Sequence, residues 1–135
     1  MENLDACLNR ILGTDCLTLA ELRVLLVLND SPDKRLRMSD LAIDAHHSPS
    51  RSSHTITRME ARGWVKRIPH ESDRRVIYVT MTPAGAALFD RVMPRYQAAI
   101  TQWFFNAVGE ERLDALDQDM RRIIVATNDA TALGV

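Results

Sequence analysis

The sequence has no apolar run approaching the ~20 residues that span a bilayer, and residues 1–20 hold no basic-then-apolar secretory pattern. A membrane span and a secreted protein are therefore not expected, and the cytoplasm is the expected compartment. Only two cysteines occur, Cys7 and Cys16, too few to staple a secreted scaffold, and they read as reduced thiols packed near an N-terminal helix. Low-complexity segments and repeats at solenoid periods are missing. So are the short signatures of common enzymes: there is no Gly-x-Ser-x-Gly, no His-Glu-x-x-His and no phosphate loop. Carboxylates are plentiful, but they fall on helix faces opposite the apolar stripes, where charge is simply solvated. No enzyme is expected. His46-His47 with His54 or His70 is the assembly a metal site would use. Adjacent histidines on a loop point apart, however, and His-x-x-x-His is absent, so neither a metal nor another cofactor is expected.

What is present is an ordinary globular composition. The 135 residues are 46% apolar and 26% charged, enough for one domain with a real core. The net charge of −1 hides a division. Between Lys34 and Arg75 lie ten basic and five acidic residues, a net +5, while the remainder has seven basic and thirteen acidic, a net −6. A basic centre between acidic flanks points to a polyanion contacted by the centre alone.

Periodicity and capping signals order the chain. Asn3 to Leu12 is a short amphipathic helix. Thr18-Leu-Ala-Glu21 is a capping-box pattern opening a second helix, apolar all round from Leu22 to Leu28 and ended by the turn Asp30-Ser-Pro-Asp33. Leu36-Arg-Met38 reads as a very short strand, and Ser39 as the cap of a helix with Leu41, Ala42 and Ala45 inward. His46-His47 breaks that helix. Ser48-Pro49 starts the next, which runs to about Arg62 with Ser52, Ile56 and Met59 inward and Gly63 beyond its end. The Ser52 hydroxyl is expected to bond the carbonyl one turn back. Trp64–Ile68 and Val76–Met81 are strand-like and flank a polar hairpin tip, His70 to Arg75. Thr82-Pro83 opens a long helix that Pro94 should kink, Gly109 breaks it, and a last helix runs from Glu110 to about Asn128.

Two short helices followed by a hairpin form a winged helix-turn-helix. The fold class expected is thus mostly α with a small β wing (α+β). Residues 18–82 make the winged helix-turn-helix lobe, and residues 1–13 and 83–128 supply helical dimerisation elements. The second helix of the pair has the width of a major groove. Its outward face carries Ser50, Arg51, Ser53, His54, Thr57 and Arg58, short hydroxyls and long donors that reach phosphates or base edges. Asp73, Arg74 and Arg75 on the hairpin tip complete the candidate DNA-binding set, with arginine placed beside an electronegative minor groove. Arg74 and Arg75 are expected on opposite faces of a strand, so that only Arg75 enters the groove.

Leu17-Thr-Leu-Ala-Glu-Leu-Arg-Val-Leu25, Met59-Glu-Ala-Arg-Gly-Trp-Val65, and Asp73-Arg-Arg75 followed by Val79-Thr-Met-Thr-Pro-Ala-Gly85 resemble the MarR family in order and spacing. The Asp-x-Arg wing joined to a Thr-x-x-Gly helix start is the discriminating part. The resemblance spans roughly residues 17 to 128 and implies a homodimer on a pseudo-palindromic operator, a repressor released by a small, frequently aromatic, effector. It also implies that Asp73 braces the guanidinium of Arg75. The effector is expected where the DNA-binding lobe meets the dimerisation helices. Two features depart from the family: only about sixteen residues precede the Leu-Thr motif, and Ser52 stands where an apolar residue is common. A redox switch at Cys7 and Cys16, like that of the peroxide-sensing branch of the family, has no supporting pattern in the sequence. The competing reading is a winged helix used as a protein-interaction module without DNA affinity, against which the +5 centre argues.

Overall fold

The computed structural model describes the backbone of residues 4–13 and 15–132, and their side chains except at 4, 5, 7 and 127–132. Asn3 and the thiol of Cys7 lie outside the described residues. The elements in order are α1 (Leu4–Gly13), α2 (Leu19–Asp30), β1 (Arg35–Arg37), α3 (Met38–Asp44), α4 (Pro49–Ala61), β2 (Val65–Pro69), β3 (Ile77–Met81), α5 (Pro83–Val108) and α6 (Leu113–Ala132). The chain divides into two compact units, residues 1–97 and 98–135. This is the mostly helical architecture with a small antiparallel sheet that the sequence implies.

The first unit is built on one apolar core. Leu12, Leu22, Leu25 and Leu28 from α1 and α2 meet Leu41, Ile56 and Met59 from α3 and α4, Val65 and Val79 from the sheet, and Leu88 and Val92 from α5. Each fully buried side chain of this size contributes about 1.5–3 kcal/mol. The three strands lie in the order β1-β3-β2, all antiparallel, with Leu36 opposite Val79 and Val65 opposite Met81. The β2–β3 hairpin is the wing.

Several local signals are realised in detail. Thr18 accepts the N–H of Glu21 at 3.2 Å while the Glu21 carboxylate accepts the N–H of Thr18 at 2.9 Å, closing the capping box of α2. Ser48 caps α4, Pro49 takes its first helical position, and Gly63 follows its end at φ 75°. Asp15, in the turn after α1, pairs with Arg91 at 3.0 Å and with Arg95, fixing that turn to the first half of α5.

Other expectations are corrected. Ser39 is not a cap: β1 ends at Arg37 and α3 begins at once with Met38, so Arg37 takes the cap position without a side-chain bond and Ser39 falls inside the first turn. Ser52 is buried as expected, but its hydroxyl has no hydrogen-bond partner in the protein. The Ser48 carbonyl one turn back instead accepts the backbone N–H of Ser52 at 2.9 Å. α5 continues as helix through Pro94. The residues after Gly109 form a single 3-10 turn, Glu110–Arg112, before α6 starts at Leu113.

The Thr-x-x-Gly start of α5 has a packing reason. The backbone N–H of Thr82 bonds the Trp64 carbonyl at 3.0 Å, its hydroxyl donates to the Gly63 carbonyl, and that same oxygen accepts the N–H of Gly85 at 3.1 Å. The backbone of α5 is thereby pressed against the entry to β2, and a Cβ at Gly85 would overlap the Trp64 carbonyl oxygen. Alanine is favoured over glycine inside a helix by about 1 kcal/mol. Here overpacking of about 1–3 kcal/mol outweighs that gain, so Gly85→Ala is expected to lower stability in denaturant unfolding. A more stable variant would show that the close approach is not real.

Candidate nucleic-acid interface

Helix α4 divides cleanly by face. Ser52, Thr55, Ile56 and Met59 are buried, and Ser50, Arg51, Ser53, His54, Thr57 and Arg58 are all exposed. A 3.6-residue repeat places the first set on the core, and the register therefore turns the second outward. Among the described residues, the side chains of Arg51, Ser53 and His54 take no hydrogen bond or ion pair within the protein, so these groups remain available to a partner.

Thr57 and Arg58 are differently placed. The Thr57 hydroxyl donates to the Ser53 carbonyl at 2.9 Å and accepts from Arg67 at 3.0 Å. Arg58 lies 3.5 Å from the carboxylate of Glu21, a residue only 1% exposed, and Arg62 approaches the same carboxylate at 3.9 Å. The C-terminal half of α4 is engaged by its own protein.

Arg67, on β2, belongs to no motif singled out in the sequence. Its backbone N–H and its Nη1 both reach the Glu60 carboxylate, at 3.1 and 2.8 Å, and its Nη2 reaches the Ser53 carbonyl at 3.0 Å. The backbone N–H of Arg67 and then its guanidinium hold Glu60 below the usual carboxylate range against the opposing effect of burial. A Glu on a helix and an Arg seven residues later on a strand have no fixed sequence signature, which is why this pair is visible only in three dimensions.

The wing tip spans residues 70–76, outside both strands. Strand alternation therefore does not separate Arg74 from Arg75. Both are exposed and sit in a turn closed by the Val76 N–H on the Asp73 carbonyl at 3.0 Å. The Asp73 carboxylate accepts the backbone N–H of Arg75 at 3.0 Å. Bracing in this structure therefore acts on the main chain of Arg75, where the resemblance implies a bond to its guanidinium. At the base of the tip the His70 ring stacks on Tyr78 with centroids 5.8 Å apart.

Two cations missed in the sequence extend the basic surface. Arg35 and Arg37 alternate along β1 and so share a face, where both guanidinium groups lie over the Tyr78 ring, at 4.1 and 5.9 Å. The signal was their period-two spacing. Between α3, the start of α4 and the wing lies a cavity of ≈ 610 Å³ lined by Arg37, Ala42, Ile43, His47, Arg75 and Ile77, among others. His47 is 7% exposed and neither ring nitrogen has a hydrogen-bond partner. Burial, reinforced by the positive charges of Arg51 and Arg23, pushes its pKa down, so the ring is neutral near neutrality. Among the described residues no three His, Cys, Asp or Glu side chains gather where they could hold a metal ion. No described helix is long and apolar enough to cross a membrane.

The MarR family model matches residues 17–77. AbsC, a MarR family regulator from Streptomyces coelicolor, is 34% identical, with 93% of this chain and 85% of that one superposed at a TM-score of 0.79. Sco3205, from the same organism and solved in complex with DNA, is 33% identical over 90% of this chain and 76% of its own, also at 0.79. The homoprotocatechuate degradative operon repressor of Escherichia coli is 31% identical over 86 residues, 64% of this chain and 57% of the repressor. The chain spans little more than half the length of the curated relatives it matches. Its likeness to AbsC and Sco3205 extends well past the helix-turn-helix at either end, and this chain belongs to the MarR family.

Proposed function

We propose that this chain is a sequence-specific, double-stranded DNA-binding transcriptional repressor acting as a homodimer in the cytoplasm. The observation that carries this reading is the distribution of free donors. Ser53, Arg51 and His54 project unpaired from the N-terminal half of α4, and Arg75 projects from a wing whose turn is held by Asp73. Helix and wing together suit a major groove and the minor groove beside it. Were the lobe only a protein-interaction module, it would have no need of a net +5 between Lys34 and Arg75.

Selection from a random duplex pool tests the whole reading, since a dimer should recover a palindrome. On that operator, Arg51→Ala is expected to lose about 1–3 kcal/mol and to relax the preference at one position. Arg75→Ala should lower the salt slope by about 1, with Arg74→Ala doing less because Asp73 holds the main chain of Arg75. Asp73→Ala carries the informative sign. Removing a negative charge beside phosphate should tighten binding, whereas freeing the main chain of Arg75 should loosen it. Looser binding at two salt concentrations is expected, and tighter binding at both would make Asp73 a solvated wing charge.

The homodimer rests on exposed apolar surface in the second unit. Trp103, Phe104 and Phe105 on α5, and Met120, Ile123, Ile124 and Val125 on α6, are all exposed in the single chain. Surface of this kind marks an interface. Sedimentation should find a dimer at micromolar concentration, and a monomer there would remove the proposal.

Response to a small aromatic effector needs a cavity coupled to the DNA-binding surface. The ≈ 610 Å³ cavity beside the wing meets that need within the lobe, because Arg75 lines it. A carboxylate held there would compete with DNA for the same guanidinium. Operator affinity should fall in millimolar hydroxybenzoate, and unchanged affinity for the wild type would count against this cavity.

A further inference from the structure

We infer that Arg67 is a specificity-determining positioning residue: it locks the wing to the outer face of α4, so that the two DNA-contacting elements present themselves as one rigid body. The inference rests on the reading that α4 and the wing contact DNA, and it adds how their mutual geometry is set.

The clamp spans two turns of helix. From β2, one residue reaches Glu60 twice, the Ser53 carbonyl once and the Thr57 hydroxyl once, while Thr57 closes the set by bonding Ser53. These bonds are not needed to hold α4 in the lobe, because Thr55, Ile56 and Met59 already bury its inner face in the core. What they constrain is the flank that carries Ser53, Thr57 and Glu60, relative to the strand that leads straight into the wing tip three residues later. A planar guanidinium suits this task. Its fixed fork serves three acceptors on different parts of the helix at once, which a lysine ammonium on a flexible stem does not.

The clamp also explains why the outward face of α4 is unequal along its length. Thr57 is held by Arg67 and Arg58 lies against Glu21, so the C-terminal half of that face is fastened. Ser53, Arg51 and His54 have free side chains in the N-terminal half. Base reading therefore belongs to the first two turns, and Thr57 serves to position them. Placement matters because a bidentate contact to a base edge tolerates little displacement, while a phosphate contact tolerates more.

The test compares wild type, Arg67→Lys, Thr57→Val and Arg75→Ala, with the double variant of Arg67→Lys and Arg75→Ala, on the selected operator and on a scrambled duplex. Thermal unfolding is followed in parallel. Arg67→Lys is expected to weaken operator binding about tenfold and scrambled binding less than about twofold, with a midpoint lowered by less than about 5 °C. Arg75→Ala should cost at least about threefold less in the Arg67→Lys background than alone, as coupled residues do. Thr57→Val should reproduce the Arg67→Lys pattern in weaker form. Equal losses on both duplexes would mean that Arg67 itself holds phosphate, and additive losses would mean that helix and wing are not coupled through it. Either result overturns the inference, as does a lowered midpoint with unchanged discrimination. Loss of preference at a single base in Thr57→Val would make Thr57 a reader and overturn its assignment to the clamp. Residual dipolar couplings of the free protein separate this inference from the functional reading. They should report one common alignment for α4 and the hairpin in wild type and two in Arg67→Lys, and a common alignment in both would sink the clamp whatever the DNA result.

Discussion

One buried carboxylate organises the winged-helix lobe. Glu21 completes the cap of α2, and the same two oxygens face Arg58 and Arg62 at the far end of α4. A carboxylate that is 1% exposed would be strongly destabilising alone. Its charge is tolerable only because a backbone N–H and two guanidinium groups converge on it. The constraint runs outward from there. With the end of α4 set beside the start of α2, Gly63 and Trp64 are set too, and on their carbonyls rests the start of α5 through Thr82 and Gly85. The carboxylate thus relates three helices and the first strand of the wing.

On that frame the lobe separates fastening from contact. Arginines whose partners lie inside the protein, Arg58, Arg62 and Arg67, crowd the C-terminal half of α4 and the base of the wing. Among the described residues, arginines without such partners include Arg51 at the start of α4 and Arg74 and Arg75 at the wing tip. The +5 of the central segment overstates the charge offered to a polyanion, since part of it is neutralised internally. The free positive charge is therefore smaller than the composition of the segment suggests, at a net chain charge of −1.

The local signals in the sequence proved most reliable where a single turn of chain decides the outcome. The capping box at Thr18 and Glu21, Ser48 with Pro49, and Gly63 depend on neighbours within four residues, and each forms as its chemistry requires. The buried stripe Ser52, Ile56 and Met59 follows from helical periodicity alone, and the exposed set on α4 follows from the stripe. Where the outcome depends on what arrives from elsewhere, local reasoning stopped short. Ser39 lost its capping position to the pairing of β1 with β3, which brings the strand up to the first residue of α3. Asp73 bonds a main-chain N–H because a turn of the wing, and not a strand, holds Arg74 and Arg75.

The sequence by itself determined the order of elements, the inward and outward faces of α4, and the family to which the chain belongs, because these rest on period, caps and short motifs. The tertiary structure alone decided which polar side chains are free. Thr57 and Arg58 look like their neighbours Arg51 and His54 in any one-dimensional reading. They differ only because Arg67, ten residues after Thr57, and Glu21, thirty-seven before Arg58, are folded against them. A hydrogen bond's partner is set by distance in space, and no spacing along the chain encodes it.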